Sequence, residues 1–117
     1  MMSRMILPMT ALAVAIAWAP AVAGQDAAAI KKGESVYGAQ KCQTCHGIAG
    51  KGNKNNPLDG VGKKLSADDI RQWITHPKEM TAKTKSTKKP PMPEKYGSLP
   101  AADLDALVAY MASLKKK

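Results

Sequence analysis

Residues 40–50 read QKCQTCHGIAG, which sets Cys42 and Cys45 three positions apart and puts His46 directly after the second thiol. Two cysteines at this spacing serve as a redox dithiol, as half of a zinc site, or as the two attachment points of a prosthetic group. Each use demands a different fold around the motif, so the flanking sequence has to separate them.

Upstream, Asp26 is placed to cap a helix through AAAIKKGESVYGAQ, in which Ile30, Gly33 and Tyr37 recur at helical spacing. A glycine inside a helix costs about 1 kcal/mol relative to alanine. Gly33 therefore marks a place where another backbone crosses close by. Downstream, Ser66-Ala67-Asp68-Asp69 is a capping box with Asp in place of Glu; Ile70, Trp73 and Ile74 follow it, and Pro77 is expected to stop that helix. A third helix is expected from about Pro100. Asp103 and Asp105 lie near its positive end, lysines lie at its negative end, and Leu104, Leu107, Val108, Met111 and Leu114 form its apolar face.

No stretch alternates as a strand. The fold class expected is all-α, with three main helices and connecting loops. The longest loop is residues 77–98, whose Lys- and Thr-rich first half carries no expected element. In its second half Pro90, Pro91 and Pro93 each fix φ and extend the preceding residue, so Met92 is held on a stiffened backbone.

The first residues carry an address. Arg4 is a short positive region, ILPMTALAVAIAWA is an apolar run, and Ala21-Val22-Ala23 offers small residues for a secretory peptidase. Residues 1–23 are expected to be a cleaved signal peptide and residues 24–117 a single domain. An uncleaved anchor is the alternative, because Ile6 to Ala23 nearly spans a bilayer if Pro8 and Pro20 are tolerated. Both readings put the domain outside the cytoplasm, which in a bacterium is the oxidising periplasm.

The chain has 117 residues and no Phe; beyond residue 23 its aromatic residues are Tyr37, Trp73, Tyr96 and Tyr110. So thin a supply of apolar bulk calls for something else at the centre of the domain, and a macrocycle would supply it where a zinc ion or a disulfide would not. Setting aside Arg4 with the leader leaves 17 basic against 9 acidic residues, a net +8. Basic surface serves nucleic acid, anionic lipid or acidic protein. An exported chain rarely meets nucleic acid, and no basic stretch is interleaved with aromatics for base stacking. An acidic protein partner is favoured.

These features separate the three uses of the motif. A thioredoxin-like dithiol needs a βαβ setting, whereas a glycine-containing helix precedes Cys42 here. A zinc site needs four ligands, and the candidates are Cys42, Cys45, His46 and a distant His76, with His46 too close to Cys45 for finger spacing. C-x-x-C-H is the attachment signature of c-type haem: the thiols add to two vinyl groups and the adjacent histidine binds iron.

From Asp26 to Leu114 the chain resembles a class I cytochrome c. Gly33 and Tyr37 match a Gly and an aromatic residue four positions apart on that family's first helix, facing Leu107 and Tyr110 on the last helix. The resemblance implies a small cytochrome c fold wrapped around one haem c, bound through thioethers at Cys42 and Cys45, with His46 as axial ligand. It implies that Met92 is the second axial ligand, with Met80, His76 or a lysine as alternatives. It further implies that the Pro57 carbonyl, beside Leu58, orients the axial histidine and that Trp73 lies near the haem. A His/Met iron has no open coordination position, which points to a one-electron carrier rather than an enzyme. The expected protein is a monomeric periplasmic carrier, without stable membrane insertion after signal cleavage. It would exchange electrons with acidic redox proteins such as a quinol-oxidising complex, a terminal oxidase or a dehydrogenase. A dedicated electron-accepting subunit of a periplasmic dehydrogenase is the alternative function, and a haem sensor with a displaceable methionine is a third.

Overall fold

Helix α1 runs Ala27–Ala39, and Asp26 begins it: its side chain accepts a hydrogen bond from the Ala28 amide, satisfying one of the donors a helix start leaves open. This is the first element of a computed structural model that describes residues 13–14 and 26–115. The expected leader, residues 1–23, lies outside the described residues except for positions 13 and 14.

The chain continues through a 3-10 turn at Cys42–Thr44, a two-residue antiparallel hairpin (β1, Gly47–Ile48; β2, Lys51–Gly52) and α2, Val61–Lys64. Then come α3, Ala67–Thr75; α4, Pro77–Thr84; a 3-10 segment at Glu94–Ser98; and α5, Ala101–Ser113. The all-α class and the three main helices, α1, α3 and α5, match expectation. Ser66 caps α3 by accepting from the Asp69 amide.

Two elements depart from it. The brief hairpin is a local pairing with no alternating pattern behind it. More substantially, the start of the expected loop folds as α4. Pro77 both ends α3 and opens α4, because at the first helical position its missing N–H is no loss and its φ is already helical. Pro77 and Met80 are buried, and that burial anchors a short Lys/Thr-rich helix whose propensity alone would not hold it. Lys85, in the left-handed region at φ 55°, closes α4.

The core is framed by α1 against α5. Gly33 meets the Ala106 carbonyl and Tyr110, so the costly glycine is where two helix backbones touch, and Tyr37 packs edge-on to Tyr110 at a centroid distance of 5.8 Å. Lys32 and Asp103 bridge the same pair of helices at 3.5 Å. Arg71 ties α3 to α5 by a 2.7 Å bond to Asp105. Gly62 brings α2 onto the end of α5, its amide donating to the Leu114 carbonyl at 2.8 Å. Val36, Tyr37, Ile70, Ile74, Tyr96, Leu107, Val108 and Met111 form the buried cluster these contacts enclose. On the last helix Leu107, Val108 and Met111 are buried as expected, while Leu104 and Leu114 pack at its margin.

Candidate functional site

Between the Cys42–His46 segment and the proline-rich segment lies a cavity of about 580 Å³, within the ~300–1,000 Å³ of small-molecule and cofactor sites. Cys42, Cys45, His46 and Met92 all line it; Leu58, Val61, Leu65, Ile70, Ile74 and Leu107 supply apolar lining. Two thiols and an imidazole, an apolar chamber and a thioether form a donor set that fits an iron macrocycle bound through thioethers. Among the described residues no cluster of three or more His, Cys, Asp and Glu side chains could hold a metal ion, so the zinc reading lacks its ligands.

Local backbone geometry produces the arrangement. Lys41 adopts a left-handed conformation at φ 58°, which turns the chain out of α1 and into the 3-10 turn carrying Cys42. The His46 amide donates to the Cys42 carbonyl at 3.0 Å, holding motif and histidine in one tight turn. A second loop closes over this turn. Asn53 donates its amide to the His46 carbonyl at 3.0 Å, Gly47 donates to the Asn56 carbonyl at 3.1 Å, and Leu58 donates to the Gly47 carbonyl at 2.8 Å. A Cβ on Gly47 would stand 2.7 Å from the Asn53 carbonyl oxygen, so only glycine lets the two loops approach.

Trp73 is half-buried and lines the cavity. Pro57 does not line it. Pro57 is exposed and bridges to Gly47, while the group beside His46 Nδ1 is the side-chain amide of its neighbour Asn56, with Nδ2 at 3.1 Å. Asn56 carries no sequence signal of its own, since asparagines are common in turns; only the pairing of the two loops exposes it.

Of the alternatives to Met92, Met80 is buried on α4 outside the cavity lining. His76 is exposed at the α3–α4 junction, its Nδ1 2.8 Å from Thr75 Oγ1. The second methionine in the lining, Met111, belongs to the buried cluster on α5. Lys41, Lys88 and Lys95 also line the cavity, all three exposed, and no acidic residue does.

Burial lowers the His46 pKa from its ordinary value, with a backbone contact from Asn56 opposing, which favours the neutral ring. Burial raises the Cys42 thiol, and Cys45 adds to the rise; the Cys42 backbone and Lys95 offset part of it. The Tyr37 phenol is pushed up to about 12 by burial, then by Cys42, Tyr110 and Asp59. Its Oη is buried with no hydrogen-bond partner among the described residues.

Tyr37 carries a pH signature. Its folded pKa lies above the ordinary 10.0, so its contribution to stability is complete below pH 10 and is lost as pH rises toward 12. Denaturant midpoints measured from pH 8 to 12 should fall over that range. In Tyr37→Phe the fall should be shallower, leaving the parts due to Tyr96 and Tyr110, whose phenols burial also raises.

The family model described as Cytochrome c matches residues 30–115. No curated protein and no solved structure matched the chain.

Proposed function

The chain belongs to the cytochrome c family, and from that premise we propose that it is a periplasmic one-electron carrier in which His46 and Met92 are the axial ligands of the haem. Cytochrome c domains bind haem c covalently, and the bound group supplies reversible one-electron exchange at its iron. The observation that carries the finer reading is a single apolar cavity bringing Cys42, Cys45 and His46 together with Met92.

Cys42 and Cys45 would hold the group through thioethers, the neutral His46 ring would offer Nε2, and Met92 would offer its thioether. With His46 and Met92 both engaged, small ligands would be kept off the metal. A thioether ligand favours the ferrous state. Trp73 and the aliphatic lining would present an apolar surface to the group.

Residues 1–23 would direct export and then be removed. Among the described residues no helix is long and apolar enough to cross a membrane. Lys41, Lys88 and Lys95 at the cavity, with no acidic residue in the lining, favour an acidic redox partner and a brief, salt-sensitive encounter. The alternative of a dedicated dehydrogenase subunit calls for a lasting apolar interface. Among the described residues the large apolar side chain left exposed is Val14, outside the helical domain, which favours the carrier.

Exported protein from cells competent in haem attachment should keep a sharp reduced absorption band through denaturing extraction, and Cys42→Ala with Cys45→Ala should lose it. Electron exchange with an acidic redox protein should slow about tenfold or more between low salt and ~0.3 M salt, within the range that electrostatic steering contributes. A colourless exported protein, or exchange indifferent to salt, would count against the respective part of the proposal.

A further inference from the structure

A second group of lysines gathers away from the cavity, where three segments distant in sequence converge. The Gly62 amide donates to the Leu114 carbonyl at 2.8 Å, which lays α2, with Lys63 and Lys64, onto the end of α5, where Lys115 follows. Ile48 of the hairpin lines a small hollow together with Gly60 and Lys115, and its cross-strand partner is Lys51. All four lysines are exposed. Lys116 and Lys117 come next in the sequence.

Helix α2 sets the direction of this charge. Val61 and Leu65, one turn apart, line the cavity, whereas Lys63 stands two residues from each, about 200° round the helix. None of the four lysines lines the cavity. Among the described residues the ion pairs join Lys32, Arg71 and Lys78 to acids elsewhere, and none engages these four. Asp59, the acidic side chain in the hollow, is itself engaged, its Oδ1 accepting from the Ala49 amide at 2.9 Å.

What such a face recognises follows from what it lacks. A specific protein interface has an apolar centre with aromatic anchors. Among the described residues the large apolar side chain left exposed is Val14, outside the helical domain, so these lysines surround no anchor. Charge on long flexible stems suits a plane of phosphate headgroups, which asks for charge density rather than shape. We propose that the face formed by Lys51, Lys63, Lys64 and Lys115 adsorbs the protein to an anionic lipid surface without inserting into it. The cavity, with Lys41, Lys88 and Lys95, stays clear of the bilayer and open to an acidic redox partner. This goes beyond the carrier reading and does not depend on which residues ligate the iron.

The test is co-sedimentation of the exported, haem-loaded protein with phosphatidylcholine vesicles containing about one-third phosphatidylglycerol, at ~0.05 M salt. The wild-type protein should pellet with these vesicles, stay in solution with pure phosphatidylcholine, and be released by ~0.5 M salt. Lys63→Gln with Lys64→Gln should weaken binding about tenfold or more. Lys88→Gln with Lys95→Gln removes the same charge at the cavity and should weaken it less than about threefold. Equal losses from the two pairs would mean that total charge governs adsorption, and a larger loss from the cavity pair would turn the cavity toward the bilayer; either result overturns the assignment. Pelleting with pure phosphatidylcholine would also overturn it, by showing apolar insertion. So would wild-type protein that stays in solution with the anionic vesicles; if immobilised polyglutamate then holds it through Lys63 and Lys64, the face belongs to an acidic protein instead.

Discussion

Met92→Ala should leave the haem covalently attached, abolish the near-infrared charge-transfer band of the oxidised protein and let the reduced protein bind carbon monoxide at neutral pH. The potential should fall by on the order of 0.2 V, a fraction of the ~0.8 V that axial ligation spans. Met92 is half-buried and lines the cavity between three prolines that restrict its backbone. A Lys78–Glu94 pair, 3.8 Å apart, adds a weak surface link between α4 and the segment that follows Met92. Of the alternatives, Met80 is buried on α4, Met111 belongs to the core cluster and the His76 ring meets Thr75, while Lys41, Lys88 and Lys95 in the lining are exposed. Met80→Ala is the informative contrast. It should keep the near-infrared band and instead cost about 2–5 kcal/mol of stability, the usual range for emptying a buried methionine site. A band that survives Met92→Ala and disappears in Met80→Ala would reverse the ligand assignment.

Gly33→Ala should be among the most damaging single-methyl additions in the domain. A Cβ there would overlap the Ala106 carbonyl oxygen and stand 2.6 Å from Tyr110 Cβ. The oxygen belongs to a helix backbone and cannot rotate away, so relief requires α1 and α5 to separate. Overpacking of this kind costs about 1–3 kcal/mol and occasionally more, and a backbone clash at the main helix contact belongs at the upper end. Better helix propensity returns about 1 kcal/mol. The net loss of about 2 kcal/mol corresponds to roughly 8–16 °C in Tm for a domain of this size. Gly38→Ala on the same helix serves as control, because a Cβ there meets nothing within 4 Å and should be neutral or mildly stabilising. Equal thermal stability of the Gly33 and Gly38 variants would mean that α1 and α5 are not in backbone contact.

Much of this molecule was legible in local sequence because the signals concerned were local. Asp26 and Ser66 act on amides two and three residues away, so caps are visible without knowledge of the fold. The cost of Gly33 in a helix pointed to a close crossing, and the crossing is there. Pro77 was half legible. A proline rules out helix continuation through itself but is equally at home opening the next helix, and only the burial of Pro77 and Met80 decided that α4 forms. The hairpin at residues 47–52 was illegible, since two-residue strands have no periodicity to detect.

By itself the sequence determined the helical class, the three principal helices, the C-x-x-C-H motif and the excess of lysine, all of which are properties of residue type and short spacing. Tertiary structure alone decided which distant side chains share the cavity: Met92 and Trp73 with His46, but not Met80, His76 or Pro57. It also decided that the Asn56 side chain meets the histidine ring. The physical reason is common to these cases. Such neighbours are set by loop closure through Gly47 and by the burial of Pro77 and Met80, and hydrogen bonds and packing between segments far apart in sequence leave no periodic trace in the chain.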